Sequence, residues 1–155
     1  MLIQFTKHTH KKHVIKYIRD NGTITWMHAD DFFVQHDLSH FALEKTLGYT
    51  TAFCGMINAG MQLNDFENRA VRTSLLITEQ AAHAENMANL FVTELTQGNF
   101  EDFNGVLQAA YHHFNRTFKA PLLNAETIDA IRSYFCSLIY RWHQLESGDT
   151  LTVEF

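Results

Sequence analysis

Proline is nearly absent. Pro121 is the only one in 155 residues, so long helices are permitted. Cysteine is scarce as well: Cys54 and Cys136 stand alone, with no C-x-x-C spacing. That excludes a disulfide framework or thiolate zinc site and leaves two reduced thiols. No apolar run approaches the roughly 18 residues of a membrane span. The opening Met1-Leu2-Ile3-Gln4-Phe5 lacks the basic region and long apolar stretch of a signal peptide. The expected location is the cytoplasm, with no membrane partner. Positive charge is also short, with 12 Lys and Arg against 17 Asp and Glu for a net charge of −5. Nucleic acid is therefore not an expected partner, because phosphate binding needs a basic footprint. The one basic run, Lys7-His8-Thr9-His10-Lys11-Lys12-His13, reads as a solvated loop. If it has an occupant, that would be a phosphate or another acidic group.

What the chain does have is apolar mass, 46% hydrophobic residues with 13 Phe, and 10 His. Burial on that scale can offset chain entropy, so residues 1–155 are expected to fold as one domain rather than stay disordered. Residues 2–6 suit a short strand. Asn21-Gly22, flanked by β-formers, suits a two-residue hairpin turn. Closing on that turn pairs Tyr17 with Trp26 and Ile15 with His28. Ile15, Tyr17, Ile24 and Trp26 then share one face, with Lys16 and Thr25 on the other.

Asp30 or Asp31 can cap a helix that runs to Leu47 and ends at Gly48. Residues 50–61, with Gly55 and Gly60, suggest a tightly packed helix. A long helix is expected from about Glu67 to Thr96, stopped at Gly98. A fourth carries Phe100, Phe103, Leu107, Ala110 and Phe114. Asn124 caps a fifth, whose apolar stripe is Ile128, Ile131, Phe135, Leu138, Trp142 and Leu145. The tail, residues 150–155, alternates as an edge strand does. The expected class is α+β: a small antiparallel sheet, made of the N-terminal hairpin and the C-terminal strand, packed on about five helices.

Chemistry concentrates in His36-Asp37-Leu38-Ser39-His40-Phe41-Ala42-Leu43-Glu44. On a helix His36, His40 and Glu44 fall about 40° apart on successive turns of one face. Apolar residues surround them nearly all round, which marks a buried helix. Two imidazoles and a carboxylate inside a protein need each other, a water or a cation. Histidines at i and i+4 can reach one ion, and Glu44 adds an anionic ligand. With ten His, an H-x-x-x-H pair arises by chance roughly 0.6 times; adding the glutamate lowers this to about 0.04.

The expected ligands are therefore His36, His40 and Glu44 around a divalent transition metal, with Zn, Ni, Fe and Mn all compatible. Asp37, at the edge of that face, is the candidate second-shell partner or catalytic base. A small-molecule substrate and metal-dependent hydrolysis follow if a coordination position is open. The alternative is a non-enzymatic ligand- or protein-binding module with a metal-free buried polar network; its aromatic surface leaves room for a homo-oligomer.

Residues 36–44, followed by Leu47-Gly48, Gly55 and Gly60, resemble a group of small uncharacterised bacterial proteins with an HDxx(H)(F/Y)xxE motif after a hairpin. The Trp142…Gly148…Leu151-Thr152 ending is similar too, and Gln35 stands where that group often has proline. The resemblance covers about half the chain. It implies that His36, Asp37, His40 and Glu44 act as a unit, and it implies no established activity. His36-Asp37-x-x-His40 also looks like the HExxH of zinc peptidases, with an aspartate one methylene shorter at the base position and no extension supplying a third ligand. The His36-Asp37 pair resembles HD phosphohydrolases as well, but those are all-helical. On the long helix Glu79 and His83 are placed to complete the site or to form a surface pair. His28 is a remote candidate to face the cluster. Cys54 has no identifiable base to make it a nucleophile.

Overall fold

The computed structural model describes residues 1–67, 78–113 and 118–155. Four antiparallel strands, β1 (Leu2–Thr6), β2 (His13–Ile18), β3 (Ile24–Ala29) and β4 (Thr150–Glu154), form one sheet in the order β3-β2-β1-β4. Six helices appear among the described residues: α1 (Asp31–Leu47), α2 (Phe53–Asn58), α3 (Leu63–Glu67), α4 (Glu79–Gln97), α5 (Phe103–His113) and α6 (Ala125–Gln144). The α+β class holds. The C-terminal tail is an edge strand, paired with β1 in the register Ile3↔Val153 and Phe5↔Leu151.

The hairpin register differs from the expected one. Ile18 faces Ile24, Tyr17 faces Thr25 and Lys16 faces Trp26. The Arg19 N–H donates to Thr23 O and the Gly22 N–H to Arg19 O, both at 2.9 Å. Asp20, Asn21 and Gly22 therefore make a three-residue loop, with Gly22 at positive φ, +81°. Three-residue hairpin loops of this kind are commonly closed by a glycine at positive φ. The extra loop residue shifts the pairing by one, and a one-residue shift turns every side chain of β3 over. Thr25 goes inside; Ile24 and Trp26 are left 51% and 55% exposed. The buried Thr25 hydroxyl is used, accepting from the Leu63 N–H at 3.3 Å.

Ile3, Phe5, Ile15, Tyr17, Leu151 and Val153 form the inner face of the sheet. Against it lies α1, which also packs on α4 and α6. Residues 37–44 are buried without a break, as a helix apolar on all sides should be. Its ends are where the sequence placed them. Asp30 accepts from the Phe33 N–H at 3.2 Å, and the Gly48 N–H donates to Glu44 O. Asn124 caps α6 through the Thr127 N–H at 2.7 Å, and the expected stripe from Ile128 to Trp142 is buried.

The expected helix from 67 to 96 is different. Helix α4 starts at Glu79, because Thr78 is extended (ψ 157°) and caps it by accepting from the Ala81 N–H. The part of that expectation on residues 68–77 lies outside the described residues, as does Phe114. Gly55 is required by packing: a Cβ there would collide with the Thr50 carbonyl. The basic run is partly structural. Lys7 donates to the Trp142 and His143 carbonyls at the end of α6, and His13 is buried beside Asp31.

Candidate metal centre

Side chains on a helix lean toward its N-terminus. In α1 this sets His40 over the turn that carries His36, with the two rings 4.7 Å apart. Glu44, one turn further on, comes up beneath His40 and meets the ring nitrogen nearer the backbone. His40 Nδ1 lies 3.0 Å from Glu44 Oε1, and Glu44 Oε2 accepts from the Cys54 N–H at 3.0 Å. The first residues of α2 thus hold the carboxylate, and the carboxylate holds the ring. If Nδ1–H donates to Glu44, the lone pair of His40 sits on Nε2.

That Nε2 is buried and makes no hydrogen bond of good geometry among the described residues. It faces Glu85 Oε2 at 3.3 Å, and His36 Nε2 lies 3.8 Å from Glu85 Oε1. His36 Nδ1 in turn lies 4.0 Å from Asp37 Oδ1, while Asp37 Oδ2 accepts from the Tyr17 hydroxyl at 2.7 Å. Both imidazoles turn Nε2 toward Glu85, His40 with Nδ1 held by Glu44 and His36 with Asp37 nearby but beyond hydrogen-bond distance.

His36, His40 and Glu85 bring one ligand atom each within 4.8 Å of one another. Ligands around a first-row ion at about 2.0–2.2 Å stand roughly 3–3.5 Å apart. The three groups have to draw together to hold such an ion.

Glu85 arrives from α4, and the α1–α4 crossing decides its position. Ser39 and Ala42 on α1, with Ala84 and Ala88 on α4, are all fully buried small residues. Ser39 Oγ reaches Ala88 O at 3.4 Å. The start of α4 is pinned by Gln80, whose Oε1 accepts from the Thr50 and Thr51 N–H groups at 2.9 Å each.

The electrostatics follow from this crowding. Burial by itself would depress His40, but the hydrogen bond to Glu44 and the adjacent Glu85 carboxylate outweigh it and raise its pKa to about 10. Desolvation would raise Glu85, yet His40, with help from His36 and Asn89, holds it down at about 2. Burial, then the neighbouring Asp37 charge, pushes the Tyr17 phenol up, so it stays a donor. Burial, then Glu44, also pushes the Cys54 thiol up, which keeps it protonated and unsuited to act as a nucleophile.

The structure brings His36 and His40 together, as their spacing predicts. It places Glu44 at the back of His40, on the opposite ring nitrogen from Glu85, instead of among the converging ligand atoms. Asp37 sits behind His36 and is held by Tyr17. Glu79 and His83 lie elsewhere: His83 Nε2 is 3.0 Å from Lys119 O and Nδ1 is 3.3 Å from the Tyr49 hydroxyl. His28 is exposed on the outer face of β3. Glu85 is the functional candidate that sequence reasoning missed. Its only trace there is a charged residue set between Ala84 and Ala88, and that trace is faint.

Among the described residues, no helix is long and apolar enough to cross a membrane. Comparison with family models, curated proteins and solved structures found no match. The site must therefore be read from its own geometry.

Proposed function

We propose that the protein binds one divalent transition metal through His36 Nε2, His40 Nε2 and a Glu85 carboxylate oxygen. Glu44 acts from outside that set, fixing the His40 ring through Nδ1 as carboxylates commonly do behind metal-bound histidines, and Asp37 stands beside His36. The observation that carries the reading is the buried Nε2 of His40, a nitrogen lacking a well-formed hydrogen bond and aimed at two other ligand-type groups. Two imidazoles and one carboxylate suit zinc, iron, nickel or manganese. They leave at least one coordination position for a ligand from solvent. Such an ion lowers the pKa of a water it holds toward neutrality, so hydrolysis of a small substrate is the reaction this donor set favours. Asp37 is a positioning residue in this reading, because one oxygen is held by Tyr17 and the other is directed at His36.

A second reading has its own support. A protonated His40 between Glu44 and Glu85 would satisfy both carboxylates without any metal, and its raised pKa fits that state. Elemental analysis of untagged protein, followed by zinc titration, separates the two. The metal reading expects close to 1 equivalent, lost on substitution of the part-exposed His36 (His36→Ala) or of Glu85 (Glu85→Ala). Uptake below ~0.1 equivalent, or uptake indifferent to both substitutions, refutes it.

A further inference from the structure

Two phenylalanines lie open to solvent beside the cluster. Phe32 is 53% exposed and Phe33 44%. Phe32 lies one turn before His36, with its ring stacked on the imidazole at 6.0 Å between centroids and 24° between planes. Phe33 meets Phe32 edge-on at 5.6 Å. On the His40 side, Phe53 packs against the ring at 4.8 Å. The Glu85 side chain is 52% exposed and that of His36 15%, against 2% for His40. The cluster therefore reaches water along its Glu85 and His36 side, and Phe32 forms a wall there.

Leaving a phenylalanine half in water forgoes burial of a large apolar surface. Holding its ring against a candidate ligand imidazole also puts an apolar ring beside the place where a bound molecule would extend from the ion. Charge bears on the kind of molecule. Asp37, Glu44 and Glu85 bring three carboxylates to the site, more than one dication neutralises, so a strongly anionic body is disfavoured.

Resting on the metal reading above, we infer that the centre takes a small molecule combining one oxygen donor group for the ion with a flat, uncharged apolar body that lies on Phe32. Phe32 is then a specificity-determining residue. It touches the body of the ligand and donates no atom to the ion.

The test uses full-length protein loaded with zinc, which this type of site binds more tightly than manganese or iron. Benzohydroxamate and acetohydroxamate are compared by isothermal titration calorimetry; they share the donor group and differ in the flat ring. The ring is expected to tighten binding by on the order of tenfold, from stacking and apolar burial. In Phe32→Ala the preference should fall below about threefold, with zinc stoichiometry and acetohydroxamate affinity unchanged. Because Phe32 is exposed, that substitution does not test the core. Phe32→Tyr, which keeps the ring, should retain the preference.

Equal affinities in the unsubstituted protein, or a preference that survives Phe32→Ala, overturns the inference. Zinc uptake at one equivalent without binding of either hydroxamate overturns it too, and leaves the metal reading standing. If no zinc is taken up, both fall together.

Discussion

Replacing Glu44 with glutamine removes one charge and almost no volume, which makes it an incisive probe of the site. In the native arrangement both Glu44 oxygens accept, one facing His40 Nδ1 at 3.0 Å and the other accepting from the Cys54 N–H at 3.0 Å. Glutamine offers one acceptor and one donor. If its amide nitrogen turns toward Cys54, two donors face each other in a fully buried position, at a cost of about 1–3 kcal/mol. If it turns toward His40, Nδ1 must become the acceptor and the ring proton moves to Nε2, where it blocks the lone pair directed at Glu85. In the first arrangement stability falls; in the second the metal site is lost.

A stability loss of that size lowers the Tm of a chain this long by roughly 2–4 °C per kcal/mol. The loss of an orienting carboxylate lowers metal affinity by about 10–100-fold. Competition between the protein and a chromophoric zinc chelator measures the affinity, and urea unfolding of the metal-free protein measures the stability. Zinc affinity within twofold of the native value, with an unshifted urea midpoint, would refute the assignment of Glu44 as the residue that orients His40.

Four further outcomes are expected. In the metal-free protein His40 titrates at about 10 against 6.5 for a free imidazole, so its contribution is fully present below 6.5 and is lost as pH rises through 10. Glu85 titrates at about 2 against 4.5, so its contribution is present above 4.5 and is lost as pH falls toward 2. The urea midpoint should therefore form a plateau between these limits and decline on both sides, and a midpoint rising steadily from pH 7 to 10 would contradict the arrangement. Between about pH 7 and 10 each zinc bound should displace at least one proton, that of His40, read from calorimetry in buffers of different ionisation enthalpy. Thr25→Val, nearly isosteric, should cost about 1–3 kcal/mol in urea unfolding because it strands the Leu63 N–H; a neutral result would argue against the register of β3. Gly55→Ala should destabilise by about 1–3 kcal/mol, since the Thr50 backbone has to move to admit a methyl group.

The parts of the molecule legible in the sequence are those governed by local chemistry. Asp30, Gly48 and Asn124 mark helix ends because capping is settled within three or four residues. The His36–His40 pair is legible for the same reason, a spacing of one helical turn. The hairpin register is not. Asp20-Asn21-Gly22 is compatible with two loop lengths, and the choice depends on whether Asn21 joins Gly22 in the left-handed region or stays out of it. Asn21 instead accepts from the Thr23 N–H at 3.0 Å, holding the longer loop. The converging carboxylate was hidden because Glu85 belongs to another helix. Its approach is set by how Ser39 fits against Ala88 and how Gln80 grips the Thr50–Thr51 backbone. A helical wheel of α1 can nominate only residues of α1, so it offered Glu44, the residue beneath the ring.

The pairing of β4 with β1 has a consequence for how the chain reaches this structure. Phe155 N–H donates to Met1 O at 2.9 Å, and Phe5 faces Leu151, so an inner strand finds its second neighbour almost the whole sequence away. Contacts that distant slow folding, because long-range pairing must overcome most of the chain's disorder before any gain is felt. Until residues 150–154 have been synthesised, the three-stranded β3-β2-β1 sheet presents β1 as an open edge. During that interval the nascent chain is exposed to strand pairing between molecules. A short linker from residue 155 to residue 1, with new ends cut in the exposed α4–α5 loop at residues 98–99, would bring β4 and β1 together early while leaving the β2–β3 hairpin local, and should speed folding.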